Sequence, residues 1–226
     1  MIIGNGIIAN AFKSYKLDHK IIIFASGVSN SRETSRIKFN RERDLLNDTL
    51  ETYGEENKIV YFSTCSMYDT YFDISVYTEH KIRMENLVIS KAKIYNIFRM
   101  SQVLGLNNRH QLIGFLCNSI IDGEEFELFN IERNIVDIDD IYRLVSSILN
   151  NKIYNNTIQN IANTKNIKVL DLVVLIEKIL NKSANYKIVD KPGDFIIDID
   201  NINNLIKDYK IFDKNYLESR IRKYYE

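Results

Sequence analysis

Tyr77 and Lys81 stand one helical turn apart in the segment Tyr-Thr-Glu-His-Lys, and together they could carry out a proton transfer. On a helix, this spacing presents the phenol and the ammonium group on the same side. A nearby ammonium ion favours the phenolate, which equips tyrosine to exchange a proton with a substrate alcohol near neutral pH. With 14 tyrosines in a lysine-rich chain, one such pair is also expected by chance.

Thr64 is a second candidate, because it ends an apolar run at 58–64 that is typical of a buried parallel strand. The carboxyl ends of parallel strands are where such sheets bind ligands. A hydroxyl group there could bind the same substrate oxygen as Tyr77. An ordinary threonine at a strand end is the simpler alternative.

A glycine loop, Gly4-Asn5-Gly6-Ile7-Ile8-Ala9, follows the first apolar residues and has the spacing of a dinucleotide phosphate loop with alanine in the third glycine position. Gly4 permits a tight turn, and Gly6 lets the backbone approach a pyrophosphate at a helix N-terminus. Such a loop is expected to be followed about 20 residues later by an acid that binds the adenosine ribose. Phe24-Ala25-Ser26-Gly27 contains no acid. A plain glycine turn is therefore the alternative.

The composition excludes several classes of function. Hydrophobic residues make up 45% of the 226 residues, which is enough for a substantial core, and 30 basic residues balance 30 acidic ones. Two cysteines and three histidines lack the spacing of a disulfide framework or a metal site, and we find no signal peptide or long apolar run. We expect a cytoplasmic protein that uses no metal, binds no nucleic acid and does not associate with a membrane.

The periodicity of apolar residues predicts strands that alternate with helices in the first half of the chain. The predicted strands are 1–3, 20–25, 58–64 and 94–100, and the predicted helices are 7–15, 32–53 and 78–93. This alternation indicates a parallel sheet with helices on both faces. Beyond Gly105 the pattern is looser, with helices at 111–118, 141–149 and 169–180 and a strand at 135–138.

Several segments, in order along nearly the whole chain, resemble the extended short-chain dehydrogenases/reductases of the NAD-dependent epimerase/dehydratase family, which act on nucleotide-linked sugars. The segments are FASGVSNS, FNRERDLLNDTLE, YFSTCSMYD, VYTEHKIRMENLV, IFRMSQVLG, RNIVDIDDIYR, KPGD and DIDNINNLI. The resemblance implies a Rossmann-like α/β fold, with a shortened NAD(P)-binding portion at 1–105. Residues 106–226 would form mainly a small substrate-binding lobe, with some segments returning to the main sheet. It also implies NAD or NADP as cofactor, a nucleotide-sugar substrate, a role in bacterial surface polysaccharide synthesis and a possible homodimer.

The same resemblance assigns roles to individual residues. Tyr77 would be the acid/base, Lys81 would bind the nicotinamide ribose and lower the pKa of the phenol, and Thr64 would bind the reacting oxygen. Asn40, with Asn47 as the alternative, would support the lysine. The cofactor-binding set would be Gly4, Asn5, Gly6, Ile7, Ile8, Ala25, Ser26, Gly27, Tyr77 and Lys81. The substrate-binding set would be Thr64, Cys65, Ser66, Gln102 and Arg133.

Departures from the family pattern narrow the chemistry. The dehydratases of the family carry an Asp-Glu pair directly after the threonine, because eliminating water needs both an acid and a base. Here the pair is Cys65-Ser66, which favours a 4-epimerase or a 4-keto reductase over a 4,6-dehydratase. Cys65 is either an additional base or, more simply, a small buried residue. Arg133 either approaches a diphosphate or pairs with Asp137 or Asp139.

The missing ribose acid has an explanation within this resemblance. The strand at 20–25 and the loop after it resemble the fourth strand of the family fold, so the second and third strands, with the acid, are expected to be deleted. The adenosine end of the cofactor would then be weakly held, and NAD cannot be distinguished from NADP. A degenerate, non-catalytic member that binds a sugar nucleotide or a partner protein is the alternative.

Overall fold

The computed structural model of the chain describes residues 1–106, 111–151 and 154–226. The strands are β1 (Ile2–Ile3), β2 (Ile21–Phe24), β3 (Lys58–Thr64), β4 (Ile94–Met100), β5 (Gln102–Leu104), β6 (Glu125–Asn130), β7 (Glu132–Arg133), β8 (Ile135–Asp137), β9 (Thr157–Ile161), β10 (Ile167–Lys168) and β11 (Asn185–Asp190). The helices are α1 (Ile7–Ala11), α2 (Arg36–Tyr53), α3 (Val76–Lys91), α4 (Leu112–Asp122), α5 (Ile138–Leu149), α6 (Val169–Leu180), α7 (Asn203–Asp208) and α8 (Tyr216–Tyr225). None of the described helices is long and apolar enough to cross a membrane.

The central sheet is parallel, with the strand order β1-β2-β3-β4-β9. In a dinucleotide-binding sheet of order 3-2-1-4-5-6, the second and third strands lie beyond the first. Here β2 pairs directly with β1, and no other strand of the described part of the chain pairs with β1. Four strands, β2, β3, β4 and β9, follow one another on that single side of β1, more than the two strands on the side of the second and third strands, so β2 takes the place of the fourth strand. The prediction that the second and third strands are missing is confirmed.

Helices cover both faces of this sheet, as predicted, because side chains alternate along each buried strand. On one face Ile22 and Tyr61 pack in a core with apolar residues of α2 and α3. On the other face Ile23 and Phe62 pack in a core with Phe12, which follows α1, and with residues of α5 and α7. Helices packed on both faces therefore hold these strands in place.

The second half of the chain contributes to two cores. β9, which the periodicity did not predict, pairs with β4 in the central sheet, and α5 packs on the same sheet. A separate core is formed by α4, α6, β6 and the end of α8. Beside it lie three small sheets: β5 pairs with β8 and β6 with β11, both parallel, and β7 pairs with β10 in antiparallel fashion. The division into two lobes near residue 105 stays a prediction.

Several helix starts differ from the sequence-based prediction; helix α5, for example, begins at Ile138 rather than near residue 141. Helix α2 begins at Arg36 rather than near residue 32. Helix α3 begins at Val76, two residues earlier than predicted, because the Ser75 hydroxyl accepts a hydrogen bond from the backbone N–H of Thr78 and caps the helix. This cap places Tyr77 in the first turn of α3.

Candidate active site

A cleft of about 1910 Å³ opens at the carboxyl ends of β1, β2 and β3 and is closed on its far side by the second half of the chain. Most of the predicted site residues line it. They are Asn5, Gly6, Ile7, Ile8, Ala25, Gly27, Thr64, Cys65, Ser66, Tyr77, Lys81, Gln102 and Arg133. Gly4, Ser26 and Asn40 do not line the cleft.

The two glycines of the loop after β1 have different physical roles. Gly4 has a φ of +130°, and a Cβ atom there would lie 2.3 Å from the carbonyl oxygen of Ala25, so this position requires glycine for the contact between the first two loops. Gly6 caps α1 with a φ of −77°, and nothing lies within 4 Å of where its Cβ would be. Its backbone is therefore open to the cleft.

The loop after β2 is held against α2. Arg41 donates hydrogen bonds to the carbonyl oxygen of Ser26 at 2.8 Å and to its hydroxyl at 3.2 Å. A Cβ on Gly27 would lie 2.7 Å from Glu42 Oε1 and 2.9 Å from Lys81 Nζ. The absence of a side chain at Gly27 thus lets this loop pass directly over two charged groups.

Thr64 and Tyr77 lie side by side at the wall of the cleft. Thr64 Oγ1 accepts a hydrogen bond from the backbone N–H of Ser66 at 3.0 Å and donates one to the Ser66 hydroxyl at 2.8 Å, which fixes its orientation. Burial raises the pKa of Tyr77 well above its ordinary value; a hydrogen bond with Thr64 lowers it, and the charge of Glu42 raises it further. The phenol is therefore protonated at neutral pH.

Lys81 lies behind Tyr77 and is engaged by a carboxylate. Its ammonium group donates to Glu42 Oε1 at 3.0 Å and to the Tyr61 hydroxyl at 2.8 Å, and Tyr61 in turn donates to Glu42 Oε1 at 2.7 Å. Both charged side chains are buried. Burial alone would raise the pKa of Glu42, but the charge of Lys81 and the hydrogen bonds to the carboxylate outweigh it and lower that pKa well below its usual range.

The second oxygen of Glu42 has two partners of its own. Glu42 Oε2 accepts a hydrogen bond from the backbone N–H of Val28 at 2.7 Å and lies 3.1 Å from His80 Nε2. The ring of Phe39 stacks on His80 at a centroid distance of 4.6 Å. The carboxylate thus joins α2, α3, β3 and the loop after β2.

The structure corrects two expectations about this group. Asn40 is exposed, two positions and therefore about 200° around α2 from the buried Glu42, and Asn47 binds Glu51 and Lys91 instead. The residue that supports Lys81 is Glu42. The pKa of Tyr77 also lies above its ordinary value rather than below it, because burial raises it and the charge of Glu42 adds to that effect.

Glu42 is absent from the predicted site, yet the sequence carries a signal for it. In α2 the buried positions are Glu42, Leu46, Thr49 and Leu50. They recur at helical spacing, so Glu42 stands in line with the apolar stripe that faces α3. An acid on such a stripe needs a buried basic partner, and α3 offers two buried ones, His80 and Lys81.

Cys65 and Ser66 follow the reacting region but offer no general base. The Cys65 thiol is fully buried and donates to the carbonyl oxygen of Arg99 at 3.2 Å. Burial raises the pKa of this thiol far above its ordinary value. Arg99 itself is held by Glu85 at 2.7 Å, so its charge is already compensated. Cys65 is a packing residue rather than an additional base.

Gln102 and Arg133 also line the cleft. Arg133 pairs with Asp69 at 3.1 Å, and neither of the two partners expected from the sequence, Asp137 and Asp139, binds it. Those two carboxylates are engaged by Lys223. The guanidinium group also lies within 6 Å of three aromatic rings, those of Tyr71, Phe72 and Phe195.

Solved structures share this architecture over almost the whole chain. A UDP-glucuronic acid 4-epimerase from Bacillus cereus, in complex with NAD, has a TM-score of 0.74 at 18% identity, covering 98% of this chain and 78% of its own. A dTDP-glucose 4,6-dehydratase from Bacillus anthracis has a TM-score of 0.68 at 15% identity, covering 98% and 77%. A UDP-glucose 4-epimerase from Thermus thermophilus has a TM-score of 0.69 at 13% identity, covering 96% and 80%.

The chain has the fold of the NAD-dependent nucleotide-sugar epimerases and dehydratases. No protein-family model matches it. A curated relative, an uncharacterized protein of Methanocaldococcus jannaschii, is 30% identical over 181 residues, and the match covers 75% of this chain. The chain spans about half the length of that relative, 53%. Epimerases and dehydratases share this fold, so the fold does not identify a reaction. A reaction has to be argued from the residues that line the cleft.

Proposed function

We propose that the chain is an NAD(P)-dependent nucleotide-sugar epimerase or 4-keto reductase in which Tyr77 exchanges the proton that accompanies hydride transfer. The observation that supports this most directly is the contact between the Tyr77 and Thr64 hydroxyls at the wall of the cleft, with Lys81 behind them. Two hydroxyls side by side are suited to bind one oxygen of a carbonyl or an alcohol. The glycine loop opens into the same cleft.

The residues of the cleft fit a dinucleotide. The open position beside Gly6 and the start of α1, at Ile7, leave the backbone accessible to a pyrophosphate. Ala25 and Gly27 line the path from there to Lys81 and Tyr77, where the nicotinamide ribose would lie. When bound, the nicotinamide accepts or supplies the hydride.

This chain's own residues handle the substrate oxygen. In reduction of a carbonyl, Thr64 binds the oxygen and Tyr77 donates its proton to it; in oxidation of an alcohol, Tyr77 takes the proton. Elimination of water needs a further acid and base, and the two residues after Thr64 are Cys65, whose thiol points to Arg99, and Ser66. We therefore propose epimerisation or reduction rather than 4,6-dehydration.

The proposed substrate is a nucleotide sugar. One neighbour of similar fold is a UDP-glucuronic acid 4-epimerase solved with UDP-glucuronic acid and NAD. In this chain Gln102 and Arg133 line the same cleft as Thr64, and we propose that they contact the phosphates or the sugar. From the resemblance alone, we place the protein in the cytoplasm, in bacterial surface polysaccharide synthesis, as a homodimer.

Titration of the purified protein with NADH and NADPH, followed by nicotinamide fluorescence, tests the proposal. We expect one of them to bind. If neither binds at about millimolar concentration, the proposed enzymatic function is refuted. That outcome would favour a non-catalytic protein of this fold, which the missing second and third strands also motivate. A thermal-shift screen against UDP-, GDP-, dTDP- and CDP-sugars would show whether one nucleotide is selected.

A further inference from the structure

Glu42 stands at the centre of a closed group of polar contacts beneath the cleft. Its two carboxylate oxygens receive hydrogen bonds from Lys81, Tyr61 and the Val28 N–H, and one of them contacts His80. The side chain of Glu42 is fully buried, and that of Lys81 is 3% exposed. At this depth two charges interact far more strongly than they would at the surface.

The charge of Glu42 acts on Tyr77, and Thr64 on β3 makes a hydrogen bond with the phenol. The other polar side chains packed around Glu42 are Lys81 and His80 of α3 and Tyr61 of β3, and Glu85 of α3 acts on Tyr61. Glu85 is bound by Arg99 through two contacts, at 3.0 Å and 2.7 Å, so that charge is compensated locally. Among the described residues, Glu42 is the carboxylate that binds Lys81.

We propose that Glu42 is a positioning residue that neutralises Lys81 and thereby keeps Tyr77 protonated, so that the resting site is ready for carbonyl reduction. In that direction a hydride leaves a reduced nicotinamide and adds to the carbonyl carbon, the phenolic O–H bond of Tyr77 breaks, and its proton goes to the substrate oxygen. Oxidation of an alcohol needs Tyr77 as a phenolate, which an uncompensated lysine would promote. Both proposed activities include that reduction step, and Glu42 is expected to raise the pH at which the reverse step, oxidation, becomes fast.

Glu42 also couples this charge to the cofactor side of the cleft. The same carboxylate holds the Val28 N–H at 2.7 Å, and the adjoining Gly27 passes over both Glu42 and Lys81. Movement of the carboxylate would therefore displace the loop after β2 as well as the lysine. An asparagine at this position could hold the lysine by a hydrogen bond, but it would not remove its charge.

The decisive measurement is the ionisation of Tyr77, followed by NMR of ring-labelled tyrosine at about pH 10, near the ordinary pKa of the phenol. The Tyr77 signal is assigned by its loss in Tyr77→Phe. In the wild-type protein the phenol is expected to remain protonated. In Glu42→Gln the charge of Lys81 is uncompensated, and the ratio of phenolate to phenol is expected to rise about tenfold or more. Addition of Lys81→Met to that variant should abolish the gain.

Two results would overturn the proposal. One is an unchanged Tyr77 signal in Glu42→Gln, and the other is a gain in phenolate that persists when Lys81 is also replaced. If Glu42→Gln is too unstable to measure, the stability of the double variant Glu42→Gln/Lys81→Met is measured instead. That variant replaces a buried ion pair with neutral side chains of similar size. Recovery of the fold in the double variant would support neutralisation of Lys81 by Glu42. No recovery would refute it.

This inference rests on the proposed function for its meaning, but its test requires neither cofactor nor substrate. Failure to bind NADH and NADPH would overturn the enzymatic function while leaving the coupling of Glu42, Lys81 and Tyr77 measurable. Conversely, an unchanged Tyr77 signal with intact binding of NADH would overturn the inference alone.

Discussion

Glu42 Oε1 lies 3.0 Å from Lys81 Nζ, and this buried contact joins α2 to α3 directly beneath the cleft. The pair explains why glycine is needed in the loop above it, at Gly27, where a Cβ would collide with both groups. The charge of Glu42 also adds to the effect of burial in raising the pKa of the neighbouring Tyr77. Several measurable properties of the protein therefore depend on one ion pair.

The first prediction concerns stability at acid pH. The pKa of Glu42 is lowered in the folded protein, so its stabilising contribution is fully present above the unfolded value of about 4.3 and is lost as the pH falls through the folded value. Urea denaturation between about pH 6 and pH 3 should show the free energy of unfolding falling more steeply for the wild-type protein than for Glu42→Gln/Lys81→Met. Equal slopes would contradict the lowered pKa.

Replacement of one partner of the pair should be costly. Glu42→Gln leaves Lys81 buried without a carboxylate, and we expect a loss of about 3–5 kcal/mol in the free energy of unfolding at neutral pH. The control is Glu51→Gln, on the same helix, whose carboxylate forms an exposed pair with Lys91 and should matter by less than about 1 kcal/mol. Similar losses in the two variants would show that burial of the pair is not the cause.

Tyr77→Phe tests the acid/base role. Removal of the hydroxyl should reduce turnover of a nucleotide-sugar substrate by about a hundredfold or more while leaving NADH binding nearly unchanged, because the phenyl ring keeps the packing of the buried position. Tyr209→Phe, at an exposed position outside the cleft, is the matched control. Retained activity in Tyr77→Phe would refute the role of this residue.

The two glycines of the first loop should respond differently to the same substitution. Gly4→Ala places a Cβ against the Ala25 carbonyl at a φ of +130°, and we expect it to lower the free energy of unfolding by about 2 kcal/mol or more. Gly6→Ala meets no atom of the protein within 4 Å and should leave stability unchanged but weaken NADH binding, because the methyl group occupies the approach to the backbone. Unchanged NADH binding in Gly6→Ala would place the pyrophosphate elsewhere.

The missing strands should alter cofactor selectivity. Since β1 has no described strand on its outer side, little of the protein is left to enclose an adenosine, and reduced nicotinamide mononucleotide should bind within about tenfold of NADH. Fluorescence titration of both ligands measures the ratio. A mononucleotide that binds more than about a hundredfold more weakly would show that the adenosine is held after all.

Asp69 should oppose binding of a diphosphate, because it occupies Arg133 at 3.1 Å. Burial raises the pKa of Asp69, although Arg133 lowers it, so as the pH falls the carboxyl group gains its proton above its ordinary range and releases Arg133. We expect UDP to bind more tightly toward acid pH and more tightly in Asp69→Asn, where the pH effect should disappear. Calorimetry at two pH values checks this, and weaker binding in Asp69→Asn would contradict it.

Much of the fold was accessible from the sequence, because periodicity is a local property. Buried strands such as β3 and β4 are continuous apolar runs, and α3 brings Tyr77 and Lys81 to one side by its pitch alone. The resemblance of β2 and the loop after it to the fourth strand of the family fold predicted the missing strands, and the strand order β1-β2-β3-β4-β9 confirmed this prediction. β9 escaped prediction because its sequence, Thr-Ile-Gln-Asn-Ile, has neither a continuous apolar run nor a strict alternation of apolar and polar residues.

The charges of the site were decided by tertiary structure. Asn40 and Glu42 lie in the same turn of α2, and only the packing of α2 on α3 determines which of them meets Lys81. In the same way, Arg133 binds Asp69 rather than the nearby Asp137 or Asp139, because Asp69 forms a β-bridge with Phe195, whose ring lies 5.7 Å from the guanidinium group of Arg133. Sequence spacing fixes which residues share a helix face or a strand end. Which charges meet depends on contacts between residues far apart in the chain, and those contacts set the protonation on which the chemistry depends.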